Sequence, residues 1–275
     1  MLTPGTALGY GMAAFLGAVQ GVAEFLPISS SGHLSLFEAW LGVDAATAGH
    51  SFNIVVHAGT LLAVLLVFRR DLLELLRGLV DPAAVPWARP LAAAIVVGSL
   101  PLVVVLAPGV EDLVVAMEGN TRAVGAALIL TAAMLGFSHR RQTPQDDRNQ
   151  PPSLARALLI GIAQLIAVAP GISRSGSTIA AALALGLGRA RAARFSFLLS
   201  IPAITAATGK EALEVLTSDV PVAFAPGPFA LGFVVSFLVG FASLRLLLAM
   251  IERVGLWPFV PYLVLVGTAA ILLAP

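Results

Sequence analysis

No lysine or arginine precedes Arg69, and the run before it consists largely of small and apolar residues. Similar runs recur to the C-terminus, so that 58% of the chain is hydrophobic and only 11% charged. A soluble domain of this length carries roughly twice that charge. Chain segments with so few charges are stable in lipid, where the backbone satisfies its own hydrogen bonds within helices. The expected fold class is therefore an all-α polytopic membrane protein. There is no cysteine, which excludes disulfides, thiolate chemistry and iron–sulfur clusters. The net charge of +1 is spread over short loops and gives no nucleic-acid footprint. The N-terminus lacks the basic region of a signal peptide, so the whole chain is expected to be one membrane domain.

Against that background the stretch Gln20 to His33, QGVAEFLPISSSGH, is far too polar. Gln20 and Glu24 fall on one face of a helix. Pro27 ends that helix, and Ser29, Ser30, Ser31 and Gly32 form a turn before His33 opens a short apolar helix to Trp40. Glu24 is the one acid with long apolar runs on both sides, and an ionisable group at membrane depth reads as functional. The alternative is a packing motif, with serines bonding between helices and Gly32 allowing close approach.

The remaining runs divide as follows. Residues 42–49 form a turn. Ser51 to Phe68 spans, with Asn53 and His57 on one face, either as interhelical glue or as part of a site. Arg69 to Pro90 is an amphipathic connection, Leu91 to Ala107 spans, Pro108 to Arg122 is an acidic loop, and Ala123 to Phe137 spans. The polar stretch SHRRQTPQDDRNQPPS at 138–153 is expected to be flexible. Leu154 to Ala169 runs into a second polar break, PGISRSGSTI, followed by a short helix to Leu187. Phe195 to Thr208 spans with Pro202 as a kink, Lys210 to Pro228 is a loop, and Phe229 to Met250 and Pro258 to Leu273 span.

The two breaks match. Gln20, Ile28-Ser29 and Ser31-Gly32 align without a gap on Gln164, Ile172-Ser173 and Ser175-Gly176. This is the trace of two repeats whose broken helices meet near the bilayer midplane, one at about 1–137 and the other at about 154–275, joined by a cytoplasmic loop at 138–153. Nearly all basic loop residues then fall on one side, leaving Arg122 and Lys210 on the other. The positive-inside rule makes the first side cytoplasmic, which inverts the repeats and gives each a re-entrant helix pair.

Two half-helices starting after Ser-Gly turns aim free N–H groups at one cavity, an anion site suited to phosphate. Arg174 adds a fork for two phosphate oxygens. Glu24 is a hard oxygen ligand for Mg²⁺ or Ca²⁺, and His33 moves protons near neutrality. Together these are the parts for phosphoryl transfer. The lipid phosphatases with K-x6-RP, PSGH and SR-x5-H motifs do not fit, because the sole lysine is Lys210 and Ala180 stands where their second histidine should be.

QGVAEFLPISSSGH and PGISRSGSTI closely resemble the two signatures of the undecaprenyl pyrophosphate phosphatase family, the bacitracin-resistance proteins of bacterial membranes. The likeness extends through FNIVVHAGTLLAVLLVFRR and ARFSFLLSIPAI. It implies a hydrolase in the bacterial plasma (inner) membrane with an outward-facing site. Such an enzyme cleaves undecaprenyl diphosphate to the monophosphate carrier for cell-wall synthesis. By motif match Glu24, Ser30, His33 and Arg174 would be catalytic, with Gln20, Ser29, Ser31, Gly32, Ser173, Ser175 and Gly176 binding substrate. Gln20 and Glu24 would hold Mg²⁺ or Ca²⁺; the family's first acidic position is Gln20 here, one carboxylate fewer. Ser30 is the expected nucleophile, with Glu24 or His33 as its base. The expected partners are the lipid substrate, membrane lipid and a second copy of the chain in a homodimer. A transporter or flippase of a phosphorylated lipid is the rival class, since broken-helix repeats are also transporter architecture.

Overall fold

A computed structural model describes residues 8–41, 45–139, 150–217 and 226–274. Every regular element among them is helical. In order these are α1 (Tyr10–Phe25), α2 (Ser30–Leu41), α3 (Ala45–Val67), α4 (Arg69–Val80), α5 (Ala88–Ser99) continued by a 3-10 segment (Leu100–Leu106), α6 (Val110–Glu118), α7 (Thr121–His139), α8 (Leu154–Ile166), α9 (Arg174–Ala184), α10 (Arg189–Thr217), α11 (Pro226–Arg253) and α12 (Phe259–Leu272).

Four segments are long and apolar enough to cross a membrane: Ala88–Leu106, Thr121–Ser138, Arg189–Thr217 and Pro226–Arg253. A fifth arises if α3 and α4, bent by 70° at Phe68, count as one. The chain is a multi-pass, all-helical membrane protein. The helices flanking the two polar breaks are shorter, 16 and 12 residues for α1 and α2, 13 and 11 for α8 and α9. A straight crossing takes about 20 residues.

Several boundaries differ from those the sequence suggests. α2 begins at Ser30 rather than His33, so the serine turn is its first helical turn. Residues 45–49 belong to α3, and residues 42–44 lie outside the described residues. The acidic segment after Pro108 is not a loop: Glu111 and Asp112 occupy the first turn of α6, where the helix dipole favours negative charge. Lys210 is not in a loop either. α10 runs on to Thr217, and Lys210 bonds Glu111 of α6 at 3.0 Å and pairs with Glu214 one turn along. Pro202 lies inside this helix. The polar stretch 138–153 falls mostly outside the described residues.

In lipid, apolar surface gives no drive for helix association, so packing rests on close approach and internal hydrogen bonds. α1 packs on α11 and α8 on α5, each through a glycine. A Cβ on Gly17 would come 2.7 Å from the carbonyl oxygen of Gly232, and one on Gly161 would come 2.1 Å from that of Gly98. Gly17 and Gly161 occupy matching positions in the two halves. α7 packs on α12, and α3 on both α10 and α11. Phe197 of α10 sits against Phe25 and Phe68, with ring centroids 5.9 and 6.1 Å away, and so ties the end of α1 to the end of α3.

Two arginines in the first turns of α10, Arg191 and Arg194, are buried. Arg194 bonds Asp71 of α4 at 2.5 Å and lies 4.6 Å over the ring of Trp87. Arg189 donates to the carbonyls of Glu252 and Arg253 at the end of α11, where free carbonyls concentrate negative partial charge.

Candidate active site

The first polar break is built by proline and one unusual serine. Pro27 cannot continue α1, and the chain turns tightly, the Ile28 N–H donating to the Leu26 carbonyl at 2.7 Å. Ser29 then adopts φ of 71°, the one non-glycine residue with positive φ among those described. The sharp bend is thus made by Ser29 and not by Gly32. Such a conformation costs of order 1–3 kcal/mol in a side-chain-bearing residue and clusters at functional sites. Here it aims the Ser29 carbonyl back at α2, where it accepts from the backbone N–H of His33 at 3.1 Å and from its Nδ1 at 2.9 Å.

The second break repeats the local bonds position for position. Ser29 Oγ accepts the Gly32 N–H at 3.3 Å, and Ser173 Oγ accepts the Gly176 N–H at 3.1 Å. The hydroxyls of Ser29 and Ser31 are 3.4 Å apart, those of Ser173 and Ser175 3.2 Å. The Ser173 carbonyl accepts from Ser177 as that of Ser29 does from His33. Ser29 and Ser173 therefore serve as helix caps.

The two breaks also interlock. A Cβ on Gly32 would lie 2.8 Å from Gly171 Cα, and one on Gly176 would lie 3.2 Å from Pro27 Cβ. Pro27 and Gly171 are matching positions, so each break rests on the other's bend. Ser175 Oγ adds a bond to the Leu26 carbonyl at 3.4 Å. Thr131 of α7 braces the second break, accepting the Ser173 N–H at 3.2 Å and donating to the Gly171 carbonyl at 3.1 Å.

Glu24 is the hub. It is 8% exposed, and its Oε1 accepts Arg174 Nη2 at 2.5 Å. Its Oε2 accepts Gln20 Nε2 at 3.0 Å and the Ser30 hydroxyl at 2.9 Å. His57 of α3 places Nε2 4.0 Å from the same oxygen. A buried carboxylate needs this kind of surrounding, because an unpaired charge there would be strongly unfavourable. On the side chains that bond Glu24, two buried polar atoms have no hydrogen-bond partner: Arg174 Nη1 and Gln20 Oε1. One is a donor beside a carboxylate-held guanidinium, the other an acceptor beside Glu24.

All eleven residues predicted from the sequence thus lie at the two interlocked breaks. Glu24, Ser30, Arg174 and Gln20 converge directly, while His33 turns away from Ser30 towards the Ser29 carbonyl and the hydroxyl of Tyr262, 2.7 Å from Nε2. Three further residues border the site: His57, whose role the sequence left open between interhelical glue and site, and Thr131 and Tyr262, which it did not single out. His57 carried a signal, its helical spacing from Asn53, but no sign of which face met Glu24. Thr131 and Tyr262 sit in apolar helices with no motif around them.

The donor set fits a divalent cation of the Mg²⁺ or Ca²⁺ kind. One carboxylate, the unpartnered amide oxygen of Gln20 and substrate phosphate oxygens match how Mg²⁺ is held in phosphoryl-transfer sites. No group of three or more His, Cys, Asp or Glu suited to a metal occurs among the described residues.

The model of the bacitracin resistance protein BacA family matches residues 13–269. The chain belongs to that family. Among its relatives, the undecaprenyl-diphosphatase of Methanosphaera stadtmanae is 38% identical, the alignment covering 95% of this chain and 97% of the relative. That of Korarchaeum cryptofilum is 40% identical over 94% of this chain and 96% of the relative. That of Marinobacter nauticus is 39% identical over 93% and 95%. The match to the BacA model takes in both breaks, α7 with Thr131 and α12 with Tyr262.

Proposed function

We propose that this BacA-family protein is an undecaprenyl-diphosphatase, hydrolysing undecaprenyl diphosphate to undecaprenyl phosphate and inorganic phosphate. It recycles the carrier for cell-wall synthesis and gives bacitracin resistance. The observation that carries the mechanism is the Ser30 hydroxyl donating to Glu24 Oε2 at 2.9 Å, beside Arg174 with one nitrogen still unpartnered.

Arg174 Nη1 and the N–H groups opening α2 and α9 hold the terminal phosphate. Ser30 Oγ attacks the phosphorus as Glu24 Oε2 takes its proton; the Oγ–P bond forms and the bridging O–P bond breaks, releasing undecaprenyl phosphate. Glu24 rather than His33 is the base, because it already holds the serine proton and Arg174 fixes its other oxygen. Water then attacks the phosphoserine phosphorus; the new O–P bond forms as the Oγ–P bond breaks, Glu24 returns the proton to Oγ, and both water protons leave with the phosphate as H₂PO₄⁻. A Mg²⁺ or Ca²⁺ held by Glu24, Gln20 and phosphate oxygens would neutralise charge on the phosphates.

We also read the two halves as inverted-topology repeats, each with a re-entrant helix pair meeting near the midplane. Support comes from the reciprocal contacts of Gly32 with Gly171 and of Gly176 with Pro27, and from the shortness of the four helices involved. The arginine asymmetry supports a site open to the outer face of the plasma membrane. A cysteine placed in residues 140–149 should resist an impermeant thiol reagent in intact cells, and one in 218–225 should label; the reverse pattern inverts the orientation. The activity itself is tested by phosphate release from undecaprenyl diphosphate by purified protein in detergent. Release without any gradient decides against a carrier, which needs the anion cradle but no nucleophile.

A further inference from the structure

Tyr262 links the final helix to the site. α12 packs on α7, and from it Tyr262 reaches α2, its hydroxyl 2.7 Å from His33 Nε2 and its ring plane 8° from that of the imidazole. On the other side of the ring, Nδ1 faces the Ser29 carbonyl at 2.9 Å. A carbonyl only accepts, so Nδ1 carries a proton. In the uncharged ring Nε2 is then the acceptor, and the Tyr262 hydroxyl donates to it. His33 itself is 5% exposed and packs near Phe37, with 6.5 Å between ring centroids. Tyr262 is 41% exposed and so borders solvent or lipid.

We propose that Tyr262 is a positioning residue of the active site, holding His33 in one ring orientation and one tautomer. The inference rests on the phosphatase reading for its kinetic consequence. The Ser29 carbonyl that fixes Nδ1 belongs to the residue just before Ser30, so the ring is tied to the backbone bend that presents the Ser30 hydroxyl. With Nδ1 committed to the Ser29 carbonyl and Nε2 to the Tyr262 hydroxyl, both ring nitrogens are engaged and the imidazole is fixed against the bend that sets Ser30. The bent Ser29 backbone and the Tyr262 hydroxyl are the two halves of that constraint. One comes from the first half of the chain and the other from its last helix.

Tyr262→Phe removes the hydroxyl and keeps the ring. Two measurements test it: steady-state phosphate release, and the imidazole ¹⁵N spectrum of resting protein labelled at its 4 histidines, with His33→Gln used to assign the signal. The expected kcat loss is roughly ten- to a hundredfold, by analogy with removing the outer partner that orients a metal-ligating imidazole. KM should stay within about twofold, since the contact is not with substrate. The spectrum should show His33 as the Nδ1–H form in the wild type and as a mixture of both tautomers in the variant.

An unchanged kcat, or an unchanged His33 signature in the variant, overturns the assignment. So does a wild-type His33 protonated at Nε2, a result that stands even if the variant does not fold. The spectrum needs no turnover. A wild-type protein that released no phosphate would overturn the phosphatase reading alone, leaving the tautomer assignment to its own measurement.

Discussion

Arg174 Nη2 lies 2.5 Å from Glu24 Oε1, joining residues 150 apart in the chain. Neither side chain is stable in that setting without the other. The carboxylate is buried at the end of α1, and the guanidinium opens α9, where the helix dipole disfavours a cation. The pair holds one oxygen of Glu24 still while the other faces Ser30, and in the proposed mechanism it leaves Arg174 Nη1 for phosphate.

Glu24→Gln should abolish turnover, because the amide cannot take the Ser30 proton. Neutralising the buried acid also leaves the charge on Arg174 without its counterpart. Breaking one side of a buried pair costs of order 3 kcal/mol. The apparent melting temperature in detergent should fall, and the double variant Glu24→Gln, Arg174→Gln should recover much of it with no recovery of activity. A single variant as stable as wild type would show that the pair contributes nothing to folding.

Arg174→Lys should not rescue. One guanidinium nitrogen is committed to Glu24, and another must reach the phosphate. An ammonium is a point charge and cannot bridge the two in a plane. A loss of at least about a hundredfold in kcat/KM is expected, comparable with removing a donor from a charge-stabilising site. Near-wild-type turnover would mean that charge alone suffices.

Ser30→Ala should leave only background phosphate release. Were Ser30 merely a donor to the phosphate, the loss would be roughly a hundred- to a thousandfold. Ser29→Ala removes a helix cap and Ser31→Ala a hydroxyl that bonds only Ser29, so both should be milder. If Ser30→Ala keeps a tenth of the activity, water is the nucleophile.

Activity should require a divalent cation, and full turnover in excess EDTA would dismiss the metal. Gln20 Oε1 has no protein partner, so Gln20→Glu, which supplies a second carboxylate, should lower the Mg²⁺ or Ca²⁺ concentration giving half-maximal rate. Gln20→Leu should raise it. Equal metal dependence in all three proteins would remove Gln20 from the metal site.

The sequence by itself determined that this is a helical membrane protein, where its helices break, and that the breaks repeat. Scarce charge and helix-length apolar runs leave lipid as the solvent, and Pro27 with the aligned Ser-Gly pairs marks the breaks. It also singled out Glu24, Ser30 and Arg174, because polar groups at membrane depth are expensive and stand out. Helix ends were less legible. Ser30 joins α2 because Ser29 takes the left-handed conformation, and no propensity announces that in a serine. α6 and the end of α10 formed where a charged stretch suggested loops, since their charges sit at favourable helix ends or pair across elements, as Lys210 does with Glu111. Only the tertiary structure decided that Glu24, not His33, receives the Ser30 hydroxyl. Both lie within reach along the chain, and the choice depends on side-chain direction. It likewise decided that Tyr262 meets His33 across 229 residues, a contact set by how the last helix packs on α7 and invisible to any local pattern.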